Sequence, residues 1–529
     1  MKPSALWIVG LVALWQGCSS TAGVGVDLAM PDLTIGDTDM PPAKGDMTGQ
    51  AADLLPGADL RPMCLTSAEC TTDDKPICGS DGVCRACEGS GDDTVCAAKG
   101  AKRCVTTGAN KGVCAACDPV PANSENADCV AAMSTTPVCN ASAVCVACTA
   151  HSQCGSKVCN FATGACTPAG DIAYVDNADG DTSKCDDATT DSKTKPYCQI
   201  SPAIASSGKS IIYVTGRATA YTNVKLDDRT GTLTIVGPGG SAATTARVYG
   251  STKNSLELNL SSGASAGYSV VVDGLELGGT DAAKAARGVL CSDQNDTATI
   301  ALTLRNSLVR YGTEHGVQIT DCTVDVSNST ISNFTKNGVS SSGGTLSLSE
   351  TAIENNAAGG LDQSSGSATV ANSLVSHNGA SGSLFGGIRI LGGDASIVNA
   401  TLIGNQSKTS GTSGILGNTS GVVLVFNTVV FAGFGGTTNV KDCIVGNSAF
   451  EGAAATNSNL NLSGCLGTDM FVDYDNLDYQ LKTGVNPCNL VDNGAMMFMT
   501  LTAPTKDLLG APRPAPAAGA YDIGCYEKQ

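Results

Sequence analysis

The chain has 529 residues, of which 63 are glycine, 25 are cysteine and only 4% are aromatic. That length exceeds what one ordinary hydrophobic core holds together and points to several segments or to a repeat. Its 31 basic and 49 acidic residues leave a net charge of −18, which argues against nucleic acid or an anionic membrane surface as a partner of the folded part.

At the N-terminus, Met1 and Lys2 are followed by an apolar run of 11 residues from Ala5 to Trp15 and then by Gly17-Cys18-Ser19-Ser20. The run is too short for a permanent membrane span and has the layout of a signal peptide. Trp15-Gln16-Gly17-Cys18 resembles the lipobox of bacterial lipoproteins, with Trp15 where that family prefers Leu. The resemblance implies a signal over residues 1–18, with Cys18 becoming the lipid-bearing first residue after cleavage. The alternative is an ordinary cleaved signal in which Cys18 is incidental. Cysteine arithmetic favours the lipid, since Cys18 is the odd one of 25 and the other 24 can pair. Residues 19–63 are rich in Asp, Pro, Ala and Gly without apolar periodicity, as expected of a disordered linker with a reach on the order of 40 Å. The lipid would anchor the protein to a membrane, placing it in the outer membrane or at the cell surface.

Residues 64–167 carry 16 cysteines in four groups of four: Cys64, Cys70, Cys78, Cys84; Cys87, Cys96, Cys104, Cys114; Cys117, Cys129, Cys139, Cys145; and Cys148, Cys154, Cys159, Cys166. Cys78-Gly-Ser-Asp-Gly-Val-Cys84 is matched by Cys139-Asn-Ala-Ser-Ala-Val-Cys145, which marks a duplicated unit. Units this small need covalent staples, and an exported chain meets an oxidising compartment, so disulfides are expected; the pairing within a unit stays open. The competing reading is zinc at the CxxC spacings Cys84/Cys87, Cys114/Cys117 and Cys145/Cys148, although each of these straddles a unit boundary. The run resembles cysteine-rich repeats of bacterial surface lipoproteins.

From residue 168 to 529 the governing signal is a repeat. Asn306, Asn328, Glu350 and Asn372 recur every 22 residues, and further copies start at Asn399 and Asn427. Two and four residues before each stand aliphatics or alanine (Leu304/Leu302, Val326/Val324, Leu348/Leu346, Val370/Ala368), a spacing that puts both on one face of a strand. Three residues after come Val309, Ile331, Ile353 and Val375, and Gly316-Val317, Gly338-Val339, Gly360-Leu361 and Gly387-Ile388 open a third strand. Three short strands per turn with aliphatic inward residues predict a right-handed parallel β-helix, each coil rising about 4.8 Å. The Asn306 column and a second one, Asn356, Asn378 and Asn405, are expected to form ladders whose amides bond the backbone of the neighbouring coil.

The segment from about Ile172 to Gln529 resembles the right-handed parallel β-helix lipoproteins that share their coil with the pectate-lyase family. Ala173-Tyr174-Val175-Asp176 resembles that family's opening strand, and Asp478-Tyr479-Gln480-Leu481 with Gly519 through Glu527 resembles the closing segment of choice-of-anchor β-helix proteins. The cysteines beyond residue 168 suggest sequential bridges: Cys185 with Cys198, Cys291 with Cys322, Cys443 with Cys465, and Cys488 with Cys525.

Lyases on this scaffold need an acidic Ca2+ cluster beside an Arg or Lys base, and hydrolases need paired carboxylates on one sheet. The acidic residues Asp321, Asp325, Glu350, Glu354, Asp362 and Asp394 read as scattered, and Glu314-His315-Gly316 resembles the polygalacturonase Gly-His-Gly motif without its companion motifs. Asp176, Asp179 and Asp181 form a candidate Ca2+ turn, against a simple solvated loop. Insertions at 379–385 and 406–413 enlarge one edge of adjacent coils, so His377, Arg389 and Lys408 are candidate ligand-binding residues, against solvated loop positions. Both tryptophans, Trp7 and Trp15, lie in the signal. The expectation is a non-catalytic surface lipoprotein whose rigid β-helix binds a surface polysaccharide or protein, or serves as structure. The alternative is a polysaccharide lyase or glycoside hydrolase acting on acidic polysaccharide.

Overall fold

The computed structural model describes residues 64–528, apart from 73–74, 99–100, 102, 107–109, 119–123, 189–191, 193, 240–244, 296–298, 418–419, 436–439, 454–455, 484–487, 516 and 518. Cys18 and the linker 19–63 lie outside the described residues.

The larger part of the chain winds as an all-β, right-handed parallel β-helix with three strands per coil. Sheet I runs from Val224–Asp227 through Val289–Asp293 and Val317–Thr320 to Ile388–Ile390 and Val440–Lys441, and sheet II from Ile172–Val175 to Ile444–Gly446. Two bent strands, Asn337–Ser349 and Gly359–Ala371, pass from sheet I into sheet II without a break. Sheet III runs from Tyr221–Thr222 to Leu460–Asn461.

Each sheet exists because the same inward slot carries an aliphatic in successive coils. Sheet I stacks Val289, Val317, Val339, Leu361, Ile388 and Ile415; sheet II stacks Leu304, Val326, Leu348, Val370, Ile397 and Val425; sheet III stacks Val309, Ile331, Ile353, Val375, Leu402 and Val430. All are buried and belong to one continuous core.

The corner between sheets II and III needs one residue per coil in the left-handed region. Asn306, Asn328, Asn372, Asn399 and Asn427 have φ between 43° and 51°, a region asparagine tolerates better than most residues. Their amides do not all bond the next coil's backbone as expected. Asn306 donates to Asp273 and Asn328 to Asn306, both at 2.7 Å, whereas Asn372, Asn399 and Asn427 donate to carbonyls of Lys506, Asp522, Gly524 and Ala495 in the C-terminal segment. The second column forms a buried ladder: Asn356, Asn378 and Asn405 donate to the carbonyls of Ile331, Ile353 and Val375 at 3.1, 2.8 and 2.8 Å. A column unforeseen in the sequence follows the corner, where Ser307, Ser329, Thr351, Ser373, Thr428 and Ser448 each turn a hydroxyl back to the carbonyl two residues earlier.

The two ends of the cylinder are treated differently. The helix Ile200–Ser206 plugs the first end with Ile200 and Ala203. At the other end, the amides of Asn457 and Asn459 cover the carbonyl of Val445, which blunts an edge strand that would otherwise invite pairing. The C-terminal segment lies against the outside of sheet III, with Phe471, Tyr479, Ile523 and Cys525 packed on Ile403, Val429 and Phe431.

Ahead of the helix, each group of four cysteines closes first-to-third and second-to-fourth: Cys64–Cys78 and Cys70–Cys84, Cys87–Cys104 and Cys96–Cys114, Cys117–Cys139 and Cys129–Cys145, Cys148–Cys159 and Cys154–Cys166. Every thiolate the zinc reading needs is thus committed to a bridge, and the two members of each CxxC pair belong to different bridges. Cys185 bonds Cys198 and Cys291 bonds Cys322. The two later bridges are corrected: Cys465 bonds Cys488, and Cys443 and Cys525 are free thiols. Cys443 stands at the corner of sheets I and II, while Cys465 lies outside sheet III, so the body of the cylinder separates them.

Candidate functional site

Outward residues of sheet I are set by alternation, so each flanks an inward aliphatic. The slot after the aliphatic carries Gln318, Ser340, Asp362 and Arg389 in four successive coils, and the corner at which the chain enters the strand, two residues before the aliphatic and outside this alternation, carries Arg287, His315 and buried Asn337. These side chains interlock across coils. Arg287 Nε donates to Gln318 Oε1 at 2.5 Å and its Nη2 lies 3.6 Å from Glu314 Oε2, which also receives Lys336 Nζ. The backbone N–H of Asn337 donates to His315 Nδ1 at 3.3 Å, and Asn337 Nδ2 to Asp362 Oδ2 at 3.4 Å. Arg389 grips Asp362 through Nε and Nη2, each at 2.8 Å, and lies 4.4 Å above the ring of buried Phe385.

Charge follows from these contacts. Burial, with Lys336 and Arg287 adding to it, pushes the His315 imidazole down to about 4. Because Nδ1 accepts from Asn337, the neutral ring carries its proton on Nε2 and offers a donor. Lys336 holds the Glu314 carboxyl below its usual range. Three cations, two carboxylates and a neutral imidazole leave a local excess of one positive charge on a chain of net −18. Such a strip can hydrogen-bond and orient a polar chain.

The two outgrowths flank this strip. Lys408 N–H donates to the Ser383 carbonyl at 2.8 Å, and Phe385 bridges to Thr412, so the loops are layered on one another. Leu384 and Phe434 stand 55% and 53% exposed along their rim.

Of the candidate ligand-binding residues His377, Arg389 and Lys408, only Arg389 belongs to the strip. His377 occupies a left-handed position, φ 54°, after the sheet III strand Leu374–Ser376, and its ring stacks on Tyr479 with Nε2 3.4 Å from the phenol oxygen. Burial lowers its pKa. Lys408 meets the outgrowth layer through its backbone. At the candidate Ca2+ turn the carboxylates are engaged by protein groups. Both oxygens of Asp176 are held by Arg217, at 2.7 and 2.6 Å, and Asp179 accepts the N–H groups of Ala218 and Thr219 at 3.0 and 3.2 Å. Asp181 is exposed and pairs with Ser183 and Lys184. A guanidinium therefore stands where a cation would go.

Sequence reading missed Arg287, Gln318, Lys336 and Asn337, took Asp362 as scattered, and set Glu314-His315-Gly316 aside as a motif resemblance without its companions. The signal was present: Glu314 and Lys336, His315 and Asn337, and Ser340 and Asp362 are each 22 residues apart, at matching positions of successive coils.

The disulfides within the described residues are those of an exported protein. No described helix is long and apolar enough to cross a membrane. Residues 54–172 match a family of unknown function (DUF8331). No curated protein sequence matches the chain. Among solved structures, the chain is similar to the crystal structure of pectate lyase Pel9A, at 14% identity and a TM-score of 0.44, over 68% of this chain and 96% of that one.

Proposed function

We propose that the protein is a surface lipoprotein, held by Cys18, that binds an extended polar glycan along sheet I without cleaving it. The observation that carries this reading is the interlocked strip from Arg287 to Arg389, which crosses four coil spacings, about 19 Å, with its charged side chains between 17% and 48% exposed. Both its carboxylates are neutralised by fixed cations, so the strip is organised for recognition. The exposed Phe434 offers a ring on which a sugar face can rest. The small positive excess favours a glycan with acidic groups.

Affinity electrophoresis of the purified protein in gels containing neutral and acidic polysaccharides tests the proposal. Retardation by an acidic glycan, reduced in Arg389→Ala and Arg287→Ala, is expected. Release of shortened or unsaturated products from the same glycan would overturn it in favour of a lyase or hydrolase.

A further inference from the structure

The fourth cysteine unit does not merely precede the β-helix; it is pinned to it. His151 Nδ1 accepts the Cys159 N–H at 2.9 Å, so Nε2 carries the proton and donates to Asp273 Oδ2 at 3.0 Å. Arg305 Nε reaches the same oxygen at 2.6 Å, Asn306 Nδ2 reaches Oδ1 at 2.7 Å, and the Arg305 guanidinium lies 4.8 Å from the ring centroid of Phe161. Asp273 is 1% exposed, and although burial opposes its charge, the bonds from His151 and Asn306 and the nearby cation keep its pKa below the ordinary value.

Beside this pin lies a cleft of about 460 Å³ between the unit and the corner of sheets II and III, lined by Thr149, Ser152, Pro238, Asn306, Asn328 and Thr330 among others. We propose that this cleft binds an uncharged sugar of one or two rings, at a site separate from the sheet I strip.

Three observations carry it. The volume is in the range in which proteins enclose small molecules, about 300–1,000 Å³. Every charged group in the wall is already balanced by a protein partner, so a charged ligand would lose its hydration without gaining a counter-ion. What remains is a set of amides and hydroxyls. Asn306 donates one N–H to Asp273, and its carbonyl oxygen accepts from Asn328, which leaves the second N–H of each amide and the Asn328 oxygen for a ligand. Donors and acceptors side by side suit hydroxyl groups, which are both. The left-handed backbone of Asn306 and Asn328 fixes these amides at the end of a ladder, so little ordering accompanies binding.

Saturation-transfer NMR on the full-length protein tests this, using methyl β-D-glucoside, methyl β-D-galactoside and N-acetylglucosamine at about 10 mM, with glucuronate as the charged control. At least one neutral sugar should give a signal that depends on the cleft, whereas any glucuronate signal, which the sheet I strip can supply, should be untouched by changes in the cleft. Thr330→Trp, an outward strand position that accepts an aromatic, should fill the cleft and abolish the signal. Asn328→Gly keeps the left-handed backbone and removes the amide, so it should weaken the signal without unfolding the coil. Arg389→Ala should leave it unchanged. The proposal is overturned if no neutral sugar binds, if a glucuronate signal is lost in Thr330→Trp as fully as theirs, or if binding survives in Thr330→Trp and Asn328→Gly.

Discussion

His315 shows how a single residue reads its surroundings. Its ring is largely buried near Arg287 and Lys336, and its Nδ1 is occupied by a backbone N–H, so burial and the two cations outweigh the pull of Glu314 and Asp362 and disfavour protonation. The protein has three histidines, so ring resonances are simple to assign. His315 should stay neutral through pH 5 and titrate only near pH 4, seen as a flat carbon-bound proton shift across the range where an ordinary imidazole moves. Since its folded pKa lies below the unfolded one, its contribution to stability is complete above about pH 6.5 and is lost as pH falls towards 4. A normal titration would mean that the strip is hydrated and loosely held. Arg389 makes the companion case: Arg389→Lys keeps the charge but loses the two-pronged grip on Asp362, and glycan retention should fall roughly tenfold.

At the scale of elements, what the sequence announces is what repeats. Inward aliphatics alternate within a strand and return every 22 residues, so the coil could be read from Leu304, Val326 and Leu348 alone. Removing one, as in Ile331→Ala, should lower stability by about 2–5 kcal/mol in denaturant unfolding, because the slot is closed above and below by Val309 and Ile353. The strip was harder to read, since its members occupy outward slots and corners in which any polar residue is permitted, and only alignment of four coils shows them as neighbours. His377 misled for a related reason: its position answers to a left-handed turn and to a cover arriving from Tyr479, 102 residues away. The C-terminal cover has no period, so neither its path nor the Cys465–Cys488 bridge could be foreseen. It carries its own titration. Asp507, Asp522 and Glu527 are buried with one cation, Arg513, and burial, followed by repulsion from Asp522, raises Glu527 to about 7. A raised acid stabilises the closed cover at low pH and loses that contribution as pH climbs from about 4.5 to 7. Labelling of the buried Cys525 thiol, corrected by the rate of a free model thiol, should therefore rise on the order of tenfold between pH 5 and 7.5. A pH-independent corrected rate would show that these carboxyls do not govern the cover.

The whole molecule joins two different solutions to the problem of stability. In the cysteine units the buried clusters consist largely of the cysteines themselves, as with Cys117, Cys129 and Cys139, so little apolar area remains once the bridges are opened. The β-helix instead shares one aliphatic core over all its coils, and of the bridges placed there only Cys291–Cys322 enters that core. Mild reduction should accordingly separate the two. Trypsin should cut reduced protein at Arg85, Arg103 and Lys157, within 64–166, while the far-ultraviolet β signal and the main cooperative melt persist. The fourth unit is the informative boundary, because His151 and Phe161 also hold it to Asp273 and Arg305. If those contacts hold it without its bridges, cleavage at Lys157 should lag behind that at Arg85 and Arg103, and the lag should vanish in His151→Ala. Equal cleavage at all three sites would mean that the pin depends on the disulfides. Loss of the main melt on reduction would mean instead that Cys291–Cys322 holds the coils together.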